Sequence, residues 1–280
     1  MIKLGSHISF KSPGYLVNSV EEAISYGANT LMIYLGAPQN TKRVTTEKYF
    51  YEEYLEKLSK IIPPKDIIIH APYIVNPSNP EKSEFAIEFL IQEIERMNYI
   101  GCKYLVLHPG SSLKFGSELG LKTLIKSIKK ILSKTLEVEI ILETMSGKGS
   151  EIGSNLLELK QVIEEVNDDR LGICLDTCHL WDAGYDIKNN LNDFMRKLKN
   201  ENLLKWVKVI HLNDSKNDLN SHKDRHENIG KGFIGFKALQ NFLFHPSLEG
   251  VITILETPWV DGKPIYKEEI KKLLAKEKEL

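Results

Sequence analysis

The chain lacks an excess of either charge. Its 37 Lys and Arg stand against 38 Asp and Glu, a formal net charge of −1 with the eight histidines neutral. No polybasic surface for nucleic acid or anionic lipid is therefore written into the composition. Cysteine is scarce: Cys102, Cys174 and Cys178, an odd three in 280 residues, exclude a disulfide framework and fit a reducing compartment. Long hydrophobic runs are missing too. The longest, Leu31 to Leu35, spans five residues, far below the roughly 20 of a membrane-spanning helix. The opening residues, Met1 to His7, hold no apolar segment ahead of a small-residue cleavage site, so the expectation is a cytoplasmic protein with no membrane partner. No Pro-, Gly- or Ser-rich linker, repeat or low-complexity tract interrupts the chain, which reads as one domain over residues 1–280.

What is there is an alternation of short β-rich runs and longer helical patterns. Eight strands are expected, at Ile2–His7, Thr30–Leu35, Asp66–His70, Lys103–His108, Val138–Glu143, Leu171–Asp176, Trp206–His211 and Val251–Glu256, each apolar enough for a sheet buried on both faces. Between them, Leu121–Lys134 places Leu121, Leu124, Ile125, Ile128, Ile131 and Leu132 on one helical face and Lys122, Lys126, Lys129 and Lys130 off it; the lysines read as a solvated outer face. The last helix, from Lys267 onward, alternates Glu and Lys at ion-pair spacings. Eight such βα units specify an α/β fold, a single (β/α)8 TIM barrel with its active site at the carboxyl ends of the strands. An open doubly wound sheet would want a glycine-rich phosphate fingerprint after the first strand, and Gly5-Ser6-His7 is followed by none. One connection breaks the rhythm. From His211 to a helix starting near Gly235 the sequence is polar and without period, and loops longer than about 12–15 residues in compact domains are usually functional.

Six consecutive strands end in a group able to bind metal or move a proton: His70, His108, Glu143, Asp176, His211 and Glu256. Strand side chains alternate faces, so Ile68, Val106, Ile141, Cys174, Val209 and Ile254, each two residues earlier, would form an apolar layer beneath a polar ring. Singly, a strand-end His reads as a hydrogen-bonded structural group and an Asp or Glu as a helix cap. Together they are costly to bury unless divalent cations satisfy several at once. Asp176 with His179, and Asp224-Arg225-His226 in the long loop, add further donors. His and carboxylate donors favour zinc or manganese at a catalytic site over an all-cysteine structural site. Cys174 and Cys178 read as packing residues.

Three segments, His70-Ala71-Pro72-Tyr73-Ile74-Val75-Asn76, Gly172 to His179, and Ile210 to Lys216 continuing to Asp224-Arg225-His226, resemble the endonuclease IV family of abasic-site DNA repair enzymes over nearly the whole chain. His108-Pro109-Gly110 and Glu143-Thr144 fall where such proteins have ligands. The resemblance implies a (β/α)8 barrel with three zinc ions per chain, manganese being an alternative at one site. His70, His108 and Glu143 would hold the first; Glu143, as bridge and catalytic residue, would hold the second with Asp176, His211 and Glu256. His179, Asp224 and His226 would hold the third. The implied reaction is hydrolysis of the phosphodiester 5′ to an abasic site, leaving a 3′-hydroxyl and a 5′-deoxyribose phosphate, with trimming of blocked 3′ ends. The implied partner is double-stranded DNA, contacted by Gln39, Tyr73 and Ile74 at the gap and by Arg225 and Lys231, with Lys216 and Lys223, at phosphates; a monomer is the default. The chain departs from the family pattern at Pro77-Ser78 and at Asn220, where glycine is usual, although Asn also tolerates a left-handed backbone.

Two other functions are weighed. A single-metal sugar isomerase or epimerase would be content with Glu143, Asp176, His211 and Glu256 and leaves His70, His108, His179, Asp224 and His226 without a collective role. A non-catalytic damage-binding protein would be signalled by a lost ligand, and no ligand position is lost. His7, His222 and His245 stay unassigned, His7 being best placed to approach the site.

Overall fold

The computed structural model describes residues 2–275. Among these, eight parallel strands close into a barrel: β1 (Lys3–His7), β2 (Thr30–Ile33), β3 (Ile67–His70), β4 (Tyr104–Leu107), β5 (Glu139–Glu143), β6 (Leu171–Asp176), β7 (Val207–His211) and, after two short strands β8 (Asp214–Ser215) and β9 (His226–Glu227), β10 (Ile252–Leu255). The barrel runs β1-β10-β7-β6-β5-β4-β3-β2 and returns to β1. Each strand lies within the span expected of it. The differences are at the ends, where His108 and Glu256 sit one residue beyond β4 and β10, and where β2 ends at Ile33.

Two apolar layers follow from the two-residue period. Outward-facing strand residues such as Leu31, Ile67, Leu105 and Leu142 join the main core with the surrounding helices. Inward-facing Met32, Ile68, Val106, Ile141, Cys174, Val209, Ile252 and Ile254 form a separate cluster inside the barrel. All six residues expected beneath the polar ring are in it. Because that plug is apolar and buried, polar groups one register step above it are confined to the barrel mouth.

The helix expected at Leu121–Lys134 runs from Ser117 to Lys134, one turn earlier, because Gly116 at φ 82° supplies the break in front of it. Its six apolar positions are buried and Lys122, Lys126 and Lys129 are exposed. The final helix spans Tyr266–Leu274; its expected continuation beyond Ala275 lies outside the described residues. The long connection after His211 is not wholly irregular. β8 and β9 pair antiparallel, Asp214 with Glu227 and Ser215 with His226, a ribbon too short for any period to reveal. No helix among the described residues is long and apolar enough to cross a membrane.

Candidate metal centre

The same inward register carries one polar group to the mouth from every barrel strand. Two residues above Met32 on β2 comes Tyr34, and β1 ends in His7, which pairs with Met32; the six strand-end residues complete the ring. His7 and Tyr34 meet edge to face at 4.8 Å, and Tyr34 lies 5.0 Å from the His70 ring. Tyr34 is not among the sequence candidates, yet its place two residues past Met32 is the signal that finds it. Burial drives His7 down to about 4, against the pull of the Glu256 carboxylate, and its buried Nε2 has no hydrogen-bond partner. His7 and Tyr34 also line a cleft of about 500 Å³ with Phe10, Tyr15, Pro38 and Lys42.

Glu143 is the hub. Its Oε2 lies 3.2 Å from Nε2 of both His70 and His108. Its Oε1 lies 3.1 Å from His211 Nδ1 and 3.3 Å from His179 Nδ1. His211 Nδ1 continues to Glu256 Oε2 at 3.0 Å and Asp176 Oδ2 at 3.9 Å. Donor atoms of His70, His108 and Glu143 lie within 4.8 Å of one another, as do those of Glu143, Asp176, His211 and Glu256. A third group joins His179, His226 and Asp176. Asp224 adjoins it, with Oδ1 3.0 Å from His179 Nε2 and 3.6 Å from His226 Nε2. All nine sequence candidates thus converge, with Asp176 also reaching the third group through Oδ2, 3.6 Å from His226 Nε2. Its Oδ1 accepts from His179 N–H at 2.8 Å and caps the helix Thr177–Asp182, so one carboxylate serves both as cap and as donor group.

The electrostatics follow from this crowding. Burial works against charge on Glu143, but His211 and His108 hold its carboxyl well below the usual range. Burial also works against His179, yet Asp176 and Asp224 hold its imidazole well above an ordinary histidine. His211 is raised likewise, with Cys174, Glu256 and Glu143 overcoming burial. Asp224, against burial, is held down to about 2 by His179.

The ring tautomers test whether these residues suit a cation. His70, His179 and His226 place Nδ1 against the carbonyls of Ala71, Thr144 and Glu256 at 2.7, 2.8 and 3.3 Å. A carbonyl only accepts, so Nδ1 carries the hydrogen and Nε2 turns its lone pair toward a carboxylate. Lone pair facing carboxylate is repulsive unless a proton or a metal ion lies between. Tetrahedral zinc with bonds of about 2.0–2.2 Å sets neighbouring donors about 3.3–3.6 Å apart, and the contacts above range from 3.0 to 3.9 Å. The buried, unpartnered His226 Nε2 faces two carboxylate oxygens at 3.6 Å, beyond hydrogen-bond reach and suited to a shared ion. The residues fit a multinuclear metal centre.

Side chains that hold the donors are less visible in the sequence. Asn213 donates to Asp176 Oδ2 at 2.8 Å and accepts from the Glu256 N–H at 2.9 Å. Thr144 Oγ1 accepts from the Asp176 N–H at 3.0 Å. Buried Asp182 accepts from Ser215 Oγ at 2.7 Å and from the Asp224 N–H at 2.8 Å. Around the rim, Gln39, Tyr73, Ile74, Arg225 and Lys231 are all exposed. The loop bearing Tyr73 and Ile74 is pinned by Asn76, bonded both ways to Ser111, and by Ser78 Oγ on the Pro109 carbonyl. Asn220 takes the left-handed backbone, φ 65°, so that departure from the family pattern keeps the turn. His222 contacts the Ser146 carbonyl, while His245 caps Pro246–Leu248 and bonds Asn192, on residues that take no part in the centre.

Known proteins share this arrangement of chain. The family model described as xylose isomerase-like TIM barrel matches residues 20–276. A curated relative, the probable endonuclease 4 of Mycoplasmopsis agalactiae, is 60% identical over 274 residues, covering 98% of each chain. The crystal structure of endonuclease IV from Thermus thermophilus superposes with a TM-score of 0.83 at 26% identity, over 97% of each chain. A D-tagatose 3-epimerase-like protein, at 19% identity and TM-score 0.72 over 98% of this chain and 96% of its own, shares the fold alone. With a full-length relative at 60% identity and the barrel to match, this chain belongs to the endonuclease IV family.

Proposed function

We propose that this chain is a DNA repair endonuclease that cuts the phosphodiester 5′ to an abasic site, leaving a 3′-hydroxyl and a 5′-deoxyribose phosphate, and that trims blocked 3′ ends. The convergence of nine His, Asp and Glu side chains into abutting donor groups in one barrel mouth carries this reading. A sugar isomerase or epimerase on this scaffold needs only the group of four. His70, His108 and Glu143 would hold one zinc ion; Glu143, Asp176, His211 and Glu256 a second; His179, Asp224 and His226 a third, with manganese an alternative at one of them. Bound there, such ions supply an activated water near neutral pH and stabilise charge developing on phosphoryl oxygens.

The chain's own groups set the geometry. Glu143 turns one oxygen to His70 and His108 and the other to His211 and His179, so its carboxylate fixes the spacing of the donor groups. Exposed Tyr73, Ile74 and Gln39 at the rim suit the space a missing base leaves, and an abasic nucleotide is cheaper to extrude because nothing must be unpaired or unstacked. Exposed Arg225 and Lys231 would meet backbone phosphates, contacts that orient the duplex without reading sequence. The substrate is double-stranded DNA, and the chain acts as one domain and as a monomer. The test is metal analysis together with nicking of a duplex bearing one abasic site. Three zinc ions per chain and cleavage on the 5′ side are expected; one metal and activity only on free sugars would overturn the reading.

A further inference from the structure

We propose that Arg43 and Glu93 are positioning residues that set the turn carrying Gln39 against the substrate; the inference rests on the nuclease reading above. Ala37-Pro38-Gln39-Asn40 is a β-turn, the Asn40 N–H donating to the Ala37 carbonyl at 3.2 Å. Pro38 presets the second position and Gln39 stands exposed at the third. The Asn40 side chain accepts from the Lys42 N–H at 2.9 Å. Among the described residues, the hydrogen bonds of the turn's own groups are local. A longer-range tie is Arg43, whose side chain is 2% exposed.

The guanidinium joins the turn to a helix. Nη1 donates to the carbonyls of Lys42 at 2.9 Å and Asn40 at 3.4 Å, so the residue next to Gln39 is held directly. Nε donates to both carboxylate oxygens of Glu93, at 2.9 and 3.0 Å, and Nη2 lies 2.8 Å from Oε1. The group also lies 5.0 Å from the Phe89 ring centroid. Gly36 packs against it so tightly that a Cβ there would stand 2.6 Å from Nη1. Glu93 is fully buried on the helix Ser83–Ile100, the element that follows the loop bearing Tyr73 and Ile74. One ion pair therefore fixes the Gln39 turn relative to the scaffold that presents the other two rim side chains. Buried ion pairs add little net stability over apolar packing, and a planar fork fixes several acceptors in a way a lysine ammonium does not. A shape-holding role accounts for both choices.

The test is a double-mutant cycle on the whole, metal-loaded chain, read as the dissociation constant for an abasic duplex and as kcat and KM for nicking. Arg43→Lys keeps the charge and loses the fork. It is expected to weaken binding by about tenfold and raise KM, with kcat changed by less than about threefold and metal content unchanged. Gln39→Ala is expected to weaken binding in the wild-type background and to add less than about twofold in Arg43→Lys, because the turn it acts through is already lost. If Arg43→Lys does not fold, Glu93→Gln takes its place in the cycle. Equal effects of Gln39→Ala in both backgrounds, or a folded Arg43→Lys with wild-type affinity, would overturn the clamp. Wild-type chain that fails to nick the duplex would instead overturn the nuclease reading.

Discussion

Three imidazoles of the centre, His70, His179 and His226, have Nδ1 tied to a backbone carbonyl and Nε2 aimed inward, and the carboxylates are held as well. Asn213 holds Asp176 and the backbone of Glu256 together, and Glu143 divides its two oxygens between His70 and His108 on one side and His211 on the other. Replacing Glu143 by Gln keeps the shape but turns an N–H donor toward imidazoles and removes the shared charge. Glu143→Gln should lower nicking at least about 100-fold while circular dichroism and melting show a folded protein; full activity would refute its bridging role. Asn213→Ala should leave the nine donors in place yet weaken metal affinity by about 10–100-fold, measured by competition with a chelator. The donors were legible because strand ends and a two-residue period place them. Asn213 was not, because its partners lie 37 and 43 residues away in the chain and only the closed barrel brings them together.

At the scale of elements, the long connection after β7 supplies two donor residues, and it is organised around one buried carboxylate. Asp214 accepts from the backbone N–H groups of Gly230, Gly232, Ile234 and Gly235, and from its own neighbour Ser215. Gly232 must be glycine, since a Cβ would stand 2.3 Å from the Ser215 carbonyl oxygen. The length and polarity of this segment foretold a functional loop. They did not foretell the β8–β9 ribbon or this knot of amides, because a two-residue strand has no period and hydrogen bonds to loop backbone leave no mark on composition. Asp214→Asn would set an NH2 group against backbone donors. A loss of about 2–4 kcal/mol in urea unfolding is expected, with faster amide exchange at Gly232 and Ile234. Unchanged exchange at those amides would show that the loop is held by something else.

For the molecule as a whole, the near-neutral composition no longer argues against a DNA partner. On the proposed function, three divalent cations would turn the formal net charge of −1 into +5, concentrated at the barrel mouth rather than spread over the surface, where it meets phosphate directly. The same cations reverse how stability depends on pH. In the metal-free protein the folded pKa of Asp224 is depressed, so its contribution is present above about pH 3.9, the unfolded value, and is lost as pH falls towards about 2. The folded pKa of His179 is raised, so its contribution is present below about pH 6.5 and is lost as pH rises through the folded value. Metal-stripped protein should therefore melt at lower temperature as pH rises from about 6 to about 8.5. Metal requires neutral imidazoles and releases their protons on binding, so its hold tightens over the same range. The gap in melting temperature between zinc-loaded and stripped protein should accordingly widen with pH, as measured by thermal unfolding of both forms in matched buffers. A gap that stays constant, or stripping that leaves melting unchanged, would mean that protons and cations do not compete for these nine side chains and that the cluster is held by its own ion pairs.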